Sequence, residues 1–491
     1  MNHFARLELQ AALLLLAGFA GCTLPAGSSD KMPLVTVAGP SRSGIAHDAA
    51  VSQVQYEVPS APGRRPNSEQ TATAQEPIPG PGLTEPVSSA SEDPCDPFQG
   101  RSELSVEQLV AEVQARNPSL QAASDAWRAA TERYPQVVSL DDPMFTYMIS
   151  PSGVGTMDGG GWMVQASQKV PWAGKRAWRG AAAAAEADVM QGDIGDTRLR
   201  LAEASRTAFY DYYLARRQAE VNDSTHRLLT QFRQIAKNKY EVAQATEQDV
   251  LQADVELASL ESRRTELQRN EKVATARINT LLHRQADHPL PPPPAKIPLV
   301  DSLPTADVLQ QAAVQARPDL FAQQARIRTE EANLALACKE YYPDLNLVAK
   351  YDAFMPEEMR PQVGMDLNIP IRRVRRDAAV REASDRLCQR RAEYQDRLDQ
   401  VRYEVQAALE RANQRQRVVR LFEDRILPAA QRSLESAQAN YTAGKLDFLR
   451  LLDAERQLNT QREMYYQAIA EYHSRLAELE RAVGGPVGAI R

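Results

Sequence analysis

Two stretches of this chain, about 200 residues apart, carry the same segments in the same order, so the fold must be built from two like halves. The first copy opens with a helical stretch that runs into Ala115-Arg116-Asn117-Pro118-Ser119-Leu120. The second has Ala316-Arg317-Pro318-Asp319-Leu320, with Pro118 matching Pro318 and Leu120 matching Leu320. Each copy then alternates apolar and polar residues up to a proline, in Gln168-Lys169-Val170-Pro171 and Leu367-Asn368-Ile369-Pro370. A long helical tract follows in both and ends at a turn led by tyrosine, Tyr240 through Asp249-Val250-Leu251 and Tyr441 through Asp447-Phe448-Leu449. A unit of this length is not a short solenoid repeat. One half makes one structural unit, and two halves make one subunit.

The tracts between these markers are helical by composition. Glycine is absent between Gly195 and Gly364, and proline between Pro171 and Pro289. Ala, Leu, Arg, Gln and Glu, the best helix formers, dominate from Leu199 onward. The tract from about Gly174 to Lys239 would span ~100 Å if straight. That from about Val374 to Asn440 is similar, with Pro428 expected to kink it or mark a local distortion. Shorter helices are expected at roughly 104–134, 246–284, 305–341 and 447–482, two of them end to end matching one long one. Apolar positions such as Leu199, Phe209, Tyr213, Leu409, Leu421 and Ile426 are sparse, as in coiled-coil seams. A coiled-coil scaffold or adaptor would explain this part equally well.

The N-terminus reads as an export signal. Arg6 precedes the apolar run Ala11 to Ala17, too short for a membrane span, and Gly18-Phe19-Ala20-Gly21-Cys22 follows. Small residues directly before a cysteine resemble a bacterial lipobox, which makes Cys22 the expected lipid attachment site. Thr23 is not the aspartate that commonly retains lipoproteins at the inner membrane, which favours the outer membrane. Residues 22–102 are rich in Pro, Ser and Gly and have no hydrophobic period, as in a flexible tether. A stiff linker, Pro289-Leu290-Pro291-Pro292-Pro293-Pro294, separates the halves and should lie across the body. Cys338 and Cys388 should differ in height by ~18 Å across a hairpin, too far for a bridge.

Four short stretches are not helical. Leu345, Leu347, Ala349, Tyr351 and Ala353 share one face of a strand, with Asn346, Lys350 and Asp352 on the other. The return segment sets Val363, Met365, Leu367 and Ile369 against Gln362, Gly364, Asp366 and Asn368. Met144–Ile149 and Trp162–Val170 make the equivalent hairpin around the glycine-rich loop of Gly153, Gly155, Gly159, Gly160 and Gly161. Trp162, Val164, Ala166 and Val170 face one way; Gln165, Ser167 and Lys169 face the other. Strands of ~9–11 residues with one apolar and one polar face suit a transmembrane barrel with a wet lumen. Four strands cannot close a barrel, and lipid does not tolerate open edges, so several subunits would share one.

From about 103 to 485 the chain resembles the TolC-like outer-membrane efflux family. The resemblance rests on the paired Asn-Pro-Ser-Leu and Arg-Pro-Asp-Leu openings and on the Gln-Lys-Val-Pro-Trp and Leu-Asn-Ile-Pro-Ile strand ends. It rests also on the stretch from Tyr441 to Arg456. That stretch and Pro428 are more similar to the cation-efflux branch than to the protein-secretion branch. The resemblance implies a mainly α fold: long antiparallel coiled-coil helices in a periplasmic α-barrel, with two β-hairpins contributing to a shared trimeric transmembrane β-barrel. It implies a homotrimer that docks on a periplasmic adaptor (membrane fusion) protein and an inner-membrane pump of RND or ABC type. The expected organisation is a signal peptide over 1–21, a lipidated tether over 22–102 and a first efflux repeat over 103–288. A Pro-rich linker over 289–300, a second repeat over 301–485 and a tail over 486–491 complete it.

A conduit needs no catalytic group. The sequence offers no Gly-rich phosphate loop, metal-ligand spacing or nucleophile–base arrangement, and its six histidines (3, 47, 226, 283, 288 and 473) are scattered. No cofactor is expected, and the mild net charge of −6 gives no reason to expect nucleic acid. Aligned on Gly444, one family aperture aspartate falls on Asp453 and another on Arg450, making a mixed ring. Asp249 matches the tip aspartate of the first half. Its family basic partner falls on Leu446, beside Lys445. Ala243 stands where Gly444 has its counterpart, in a loop expected to be about three residues longer. Tyr240, Tyr441, Gly444, Lys445 and Asp447 are expected to meet the adaptor. Seven of the 11 methionines (144, 148, 157, 163, 355, 359 and 365) lie in or beside the hairpins. Thioethers suit Cu(I), although Met365 falls on the apolar face, where Met is filler.

Overall fold

The computed structural model describes Phe98 and residues 100–150, 161–300 and 302–489. The signal peptide, Cys22 and most of the tether lie outside these residues, as do Cys95, Met157 and four of the loop glycines. The first repeat comprises helices α1 (Val106–Arg116), α2 (Pro118–Thr131) and α3 (Arg133–Val138), strands β1 (Met144–Ser150) and β2 (Gly161–Val170), and helices α4 (Lys175–Glu241) and α5 (Glu247–Leu281). The second comprises α6 (Ala306–Ala316), α7 (Pro318–Lys339), β3 (Leu345–Asp352), β4 (Pro361–Leu367), α8 (Arg373–Leu421), α9 (Leu427–Thr442) and α10 (Phe448–Val483). The order is the same in both halves once α2 and α3 are matched to α7, and α4 to α8 and α9 together.

The matched prolines divide the short helices. Pro118 and Pro318 each occupy the first turn of a helix, where a missing N–H costs nothing, and each pushes its predecessor out of the helical region. The breaks join the short helices end to end alongside the long ones. Asn117 donates from Nδ2 to the carbonyl of Leu281, at the C-terminus of α5, over 2.9 Å. Arg317 donates from Nη1 to the carbonyl of Ala482, near the C-terminus of α10, over 3.1 Å. α2 and α5 therefore follow α4, and α7 and α10 lie against both α4 and α8. The close approach of α4 to α7 needs Gly192, where a Cβ would sit 2.8 Å from the Pro318 carbonyl.

Among the described residues the core is divided into separate clusters. One cluster packs Leu109, Val113, Phe209 and Ile278, and its counterpart in the second repeat packs Leu309, Ala313, Val405 and Leu479. A third, towards the tyrosine-led turns, packs Leu229, Phe232, Leu434, Leu451 and Leu452. Phe98, assigned to the tether, belongs to the first cluster, with the Arg284 guanidinium 5.4 Å above its ring. The packed body thus reaches further back than residue 103. The linker is docked as expected: Pro292 accepts from the Leu104 N–H over 2.9 Å and Pro291 from the Tyr212 hydroxyl over 3.3 Å.

Pro428 marks a local distortion in the second long tract, as expected. A π turn over Phe422–Ile426 inserts the extra residue that a helix needs when one N–H is missing, and α9 resumes with Pro428 in its first turn. Cys338 and Cys388 are both free and exposed. The cross-helix pair of Glu330 with Arg390 sets Cys388 about six residues from the level of Cys338, ~9 Å. That is half the offset expected from hairpin counting.

The four strands form one antiparallel sheet in the order β1-β2-β3-β4, leaving β1 and β4 as edges. Where the strands meet the helices, buried Lys175 donates to Asp344 Oδ1 at 2.9 Å and to the Tyr342 carbonyl at 3.1 Å. The Trp172 N–H also donates to Asp344, over 3.0 Å. These bonds cross between the repeats and fix sheet to helices.

Candidate functional site

The strand register sorts the side chains as the alternation predicts. Phe145 pairs with Ala166, Tyr147 with Val164 and Ile149 with Trp162. Val164 in turn meets Tyr351, Ala166 meets Ala349, and Ala349 meets Val363. One face is therefore apolar across all four strands. Thr146, Gln165, Lys350 and Gln362 share the opposite, polar face. Of the methionines, 144, 148 and 163 fall on this polar face, with Met148 directly opposite Met163, whereas Met365 falls on the apolar one.

The apolar face is open to solvent in the single chain: Phe145 is 70% exposed and Val363 91%. Exposure on this scale marks a surface that belongs against something apolar. Two stacked aromatic pairs bound it, Trp162 with Tyr351 (centroids 5.2 Å apart) and Trp172 with Tyr342 (5.5 Å). The ten residues from Trp162 to Trp172 run ~33 Å along a strand, or ~25 Å in height at a tilt of ~40°, which is the thickness of an outer-membrane apolar band between its aromatic girdles. No helix among the described residues is long and apolar enough to cross a membrane.

At the far end of the helices, the two tyrosine-led turns have the same geometry. Ala243 N–H donates to the Tyr240 carbonyl over 2.9 Å and Gly444 N–H to that of Tyr441 over 3.1 Å. Gln244 and Lys445 donate to Lys239 and Asn440. Thr246 precedes α5 and Asp447 precedes α10 at matching places. The expected extra length of the first loop is therefore wrong: a helix C-cap and a helix N-cap fix both turns at one length. In this register Asp249 corresponds to Arg450. Asp249 accepts from the Thr246 N–H at 3.3 Å, and Asp447 accepts from that of Arg450 at 3.2 Å, so Asp249 and Asp447 both cap helices.

Both turns use the left-handed region, Gly444 at φ +71 and Ala243 at φ +57. Alanine there carries a steric cost of about 1 kcal/mol that glycine avoids. Ala243→Gly should therefore stabilise the first turn, and Gly444→Ala should weaken the second by a similar amount, read from amide exchange at the two turns.

Tyr240 is exposed, but Tyr441 is buried against Phe448, with the Lys239 ammonium 4.5 Å over its ring. Burial, aided by the Asp249 carboxylate, pushes the Tyr441 phenol up to about 12. Lys239 also donates to the Tyr441 carbonyl over 2.5 Å. The cation that joins the two turns is thus Lys239; Leu446 packs into the apolar cluster and Lys445 is exposed. Arg450 and Asp453 are exposed on α10, Asp453 lying 3.7 Å from Arg456. Behind them, Arg456 binds Glu256 at 2.5 Å and Arg263 approaches Glu463 at 3.5 Å, tying α5 to α10. The sequence held a signal for these ties, since each charge faces its opposite exactly one repeat step away, 200 residues on.

Glu455 was missed altogether. It is 3% exposed in the middle of DAER, and burial, with repulsion from Glu256, raises its carboxyl to about 7. A carboxyl raised above its unfolded value is held best in the protonated form. Its contribution is full below pH ~4.5 and is lost as pH rises through ~7. Glu455→Gln should remove that dependence and raise thermal stability at pH 8 while leaving it unchanged at pH 5. His473, 5% exposed and stacked on Tyr210 at 4.8 Å, is pushed down to about 4 by burial, so it is neutral in the fold. Among the described residues no group of three or more His, Cys, Asp or Glu is placed to hold a metal.

A family model for outer membrane efflux protein matches residues 309–485, most of the second repeat. No curated protein matches the chain. Among solved structures, the outer-membrane channel OprN is 21% identical with a TM-score of 0.65, over 78% of this chain and 90% of that one. CusC, whose structures describe transmembrane channel formation, is 20% identical with a TM-score of 0.66, over 77% and 92%. The outer membrane protein VceC of Vibrio cholerae is 18% identical with a TM-score of 0.66, over 78% and 96%. The second repeat thus matches the outer membrane efflux protein family, and the two repeats together have the fold of these outer-membrane channel structures.

Proposed function

We propose that this chain is one of three identical subunits of an outer-membrane conduit in a tripartite efflux system. The observation that carries this reading is the four-stranded sheet with one apolar face, one polar face and two unpaired edges, set on helices of up to 67 residues. Three copies supply twelve strands, enough to close a barrel around a wet lumen. The helices hang below it into the periplasm, and Cys22 adds a lipid anchor. A scaffold without channel activity would have no use for such a sheet.

Cargo, small molecules or metal cations, passes from an inner-membrane pump through an adaptor that meets the turns at 240–249 and 441–449. Asp453 and Arg450, exposed on α10 beside the turn, line the aperture, with Asp249 behind them as a helix cap. Rings of like charge at a constriction select ions by sign. Asp453→Ala should therefore lower the cation preference of single channels, and Arg450→Ala should raise it, measured as reversal potential in a salt gradient. The assembly itself is tested by fractionation and mass: the protein should sediment with outer membranes and leave detergent as a particle of three subunit masses.

A further inference from the structure

Three of the four seams in a shared barrel are formed within one chain, but the seam from β4 of one copy to β1 of the next has no covalent turn to set its register. A slip of one residue there would turn every side chain to the wrong face. Matching the faces decides part of the register. Even-numbered residues of both strands occupy the polar face, so Met144 must lie opposite an even-numbered residue of β4 or its extension. Placing it opposite Leu367, which would align the strand ends, is thereby excluded. With Met144 opposite Asn368, Asp142 lies opposite Pro370 and Asp141 opposite Ile371. Slips by two residues keep the faces matched, and something else must reject them.

The charges at the foot of the sheet supply that selection. Asp141 and Asp142 lie just before β1, and Arg372 and Arg373 just after β4; all four are exposed and none has an ion-pair partner among the described residues. Most neighbours at the same level are satisfied, the exception being exposed Lys169 on β2, opposite Asp142 when the β1–β2 register is extended. Lys175 binds Asp344, Arg176 donates to the Val138 carbonyl over 2.6 Å, and Arg376 to that of Glu340 over 2.7 Å. On the edge strands themselves, the charges left over are acidic before β1 and basic after β4. Pro143 and Pro370 cannot donate to a ladder, so backbone pairing stops there and side chains must take over.

We propose that Asp141 and Asp142 of one copy engage Arg372 and Arg373 of the next, as a charged clasp that selects the register of the intersubunit β1–β4 seam at the foot of the barrel. The proposal rests on the shared-barrel reading. In the matched register both aspartates lie within two residues of an arginine, inside the reach of its side chain. A slip that sets Met144 opposite Asp366 moves the arginines two residues further away. A slip that sets it opposite Pro370 keeps the charges close but gives up strand pairing. The clasp recurs at each of three seams, so its effects add.

The test is charge reversal in the full chain: Asp141→Arg with Asp142→Arg, Arg372→Asp with Arg373→Asp, and all four together. Heat resistance of the detergent-extracted trimer is read on mildly denaturing gels. Each reversed pair should dissociate at a lower temperature than the native protein, and the fourfold variant should recover. Recovery excludes a general folding defect. If the arginine reversal weakens the trimer and the fourfold variant fails to recover, the arginines serve another surface, such as anionic lipid headgroups, and the clasp is overturned. If no variant changes dissociation, the clasp is overturned and the barrel reading stands. If the native protein yields no trimer, the underlying reading fails instead.

Discussion

Val363→Arg should abolish insertion into the outer membrane, whereas Gln362→Arg, one residue away, should be tolerated. The two positions are neighbours on β4 but lie on opposite faces, Val363 in register with Ala349 and Gln362 with Lys350. Val363 is 91% exposed on the face that continues through Ala349, Ala166 and Phe145. An arginine on the lipid side of a barrel costs about 2–4 kcal/mol at the midplane, and three copies would multiply it. At position 362 the guanidinium would sit in the wet lumen beside Lys350, where only selectivity should respond. Membrane fractionation of the two variants reads the difference directly. Equal insertion of both would contradict the assignment of the faces.

Arg317→Ala should cost the helical body about 3 kcal/mol, because it removes one partner from a half-buried charge network. Arg317 grips Asp319 through Nε and Nη2, both at 2.9 Å, and Glu404 through Nη1 at 2.6 Å. Arg397 completes the ring with bonds of 2.8 Å to each carboxylate. The network joins α7 to α8, and the Ala482 carbonyl adds α10. Burial alone would push the Asp319 carboxyl up, but its bonds and charge contacts with Arg317 and Arg397 outweigh this and hold it below the usual carboxylate range. Glu404 is lowered against burial by the same two arginines. Carboxyls with depressed values stabilise the fold above their unfolded range, and that contribution disappears as pH falls through about 4 and below. Thermal unfolding should therefore show the native protein losing stability in acid more steeply than Arg317→Ala. The equivalent first-repeat variant, Asn117→Ala, should cost only about 1 kcal/mol, since a neutral hydrogen bond is at stake.

Periodicity was legible in the sequence because it is local. The alternation around Trp162 and Val363 assigned each strand its face, whereas the helices expected whole at 104–134 and 305–341 are each split at the matched prolines, Pro118 and Pro318. The long tracts expected at about 174–239 and 374–440 are found within two residues at their outer ends, the first as α4 and the second as α8, the π turn and α9 together. The interior of the tip was not legible, because it depends on how helices roll against each other. Nothing in the DAER stretch says that Glu455 turns inward while Asp453 and Arg456 stay at the surface. Turn length misled for a similar reason: the caps Thr246 and Asp447 differ in residue type, so one loop looked longer than the other. Phe98 lay in a segment without a period, and only its burial beneath Arg284 assigns it to the body.

Planar-bilayer conductance of the detergent-extracted protein, with its mass measured on the same sample, tests the conduit most directly. The account predicts discrete conductance steps from a particle of three subunit masses. It also predicts that Asp453→Ala and Arg450→Ala shift ion selectivity in opposite directions. A monomer or dimer that leaves the bilayer silent would contradict it, and would leave a duplicated coiled-coil scaffold as the better description of this chain.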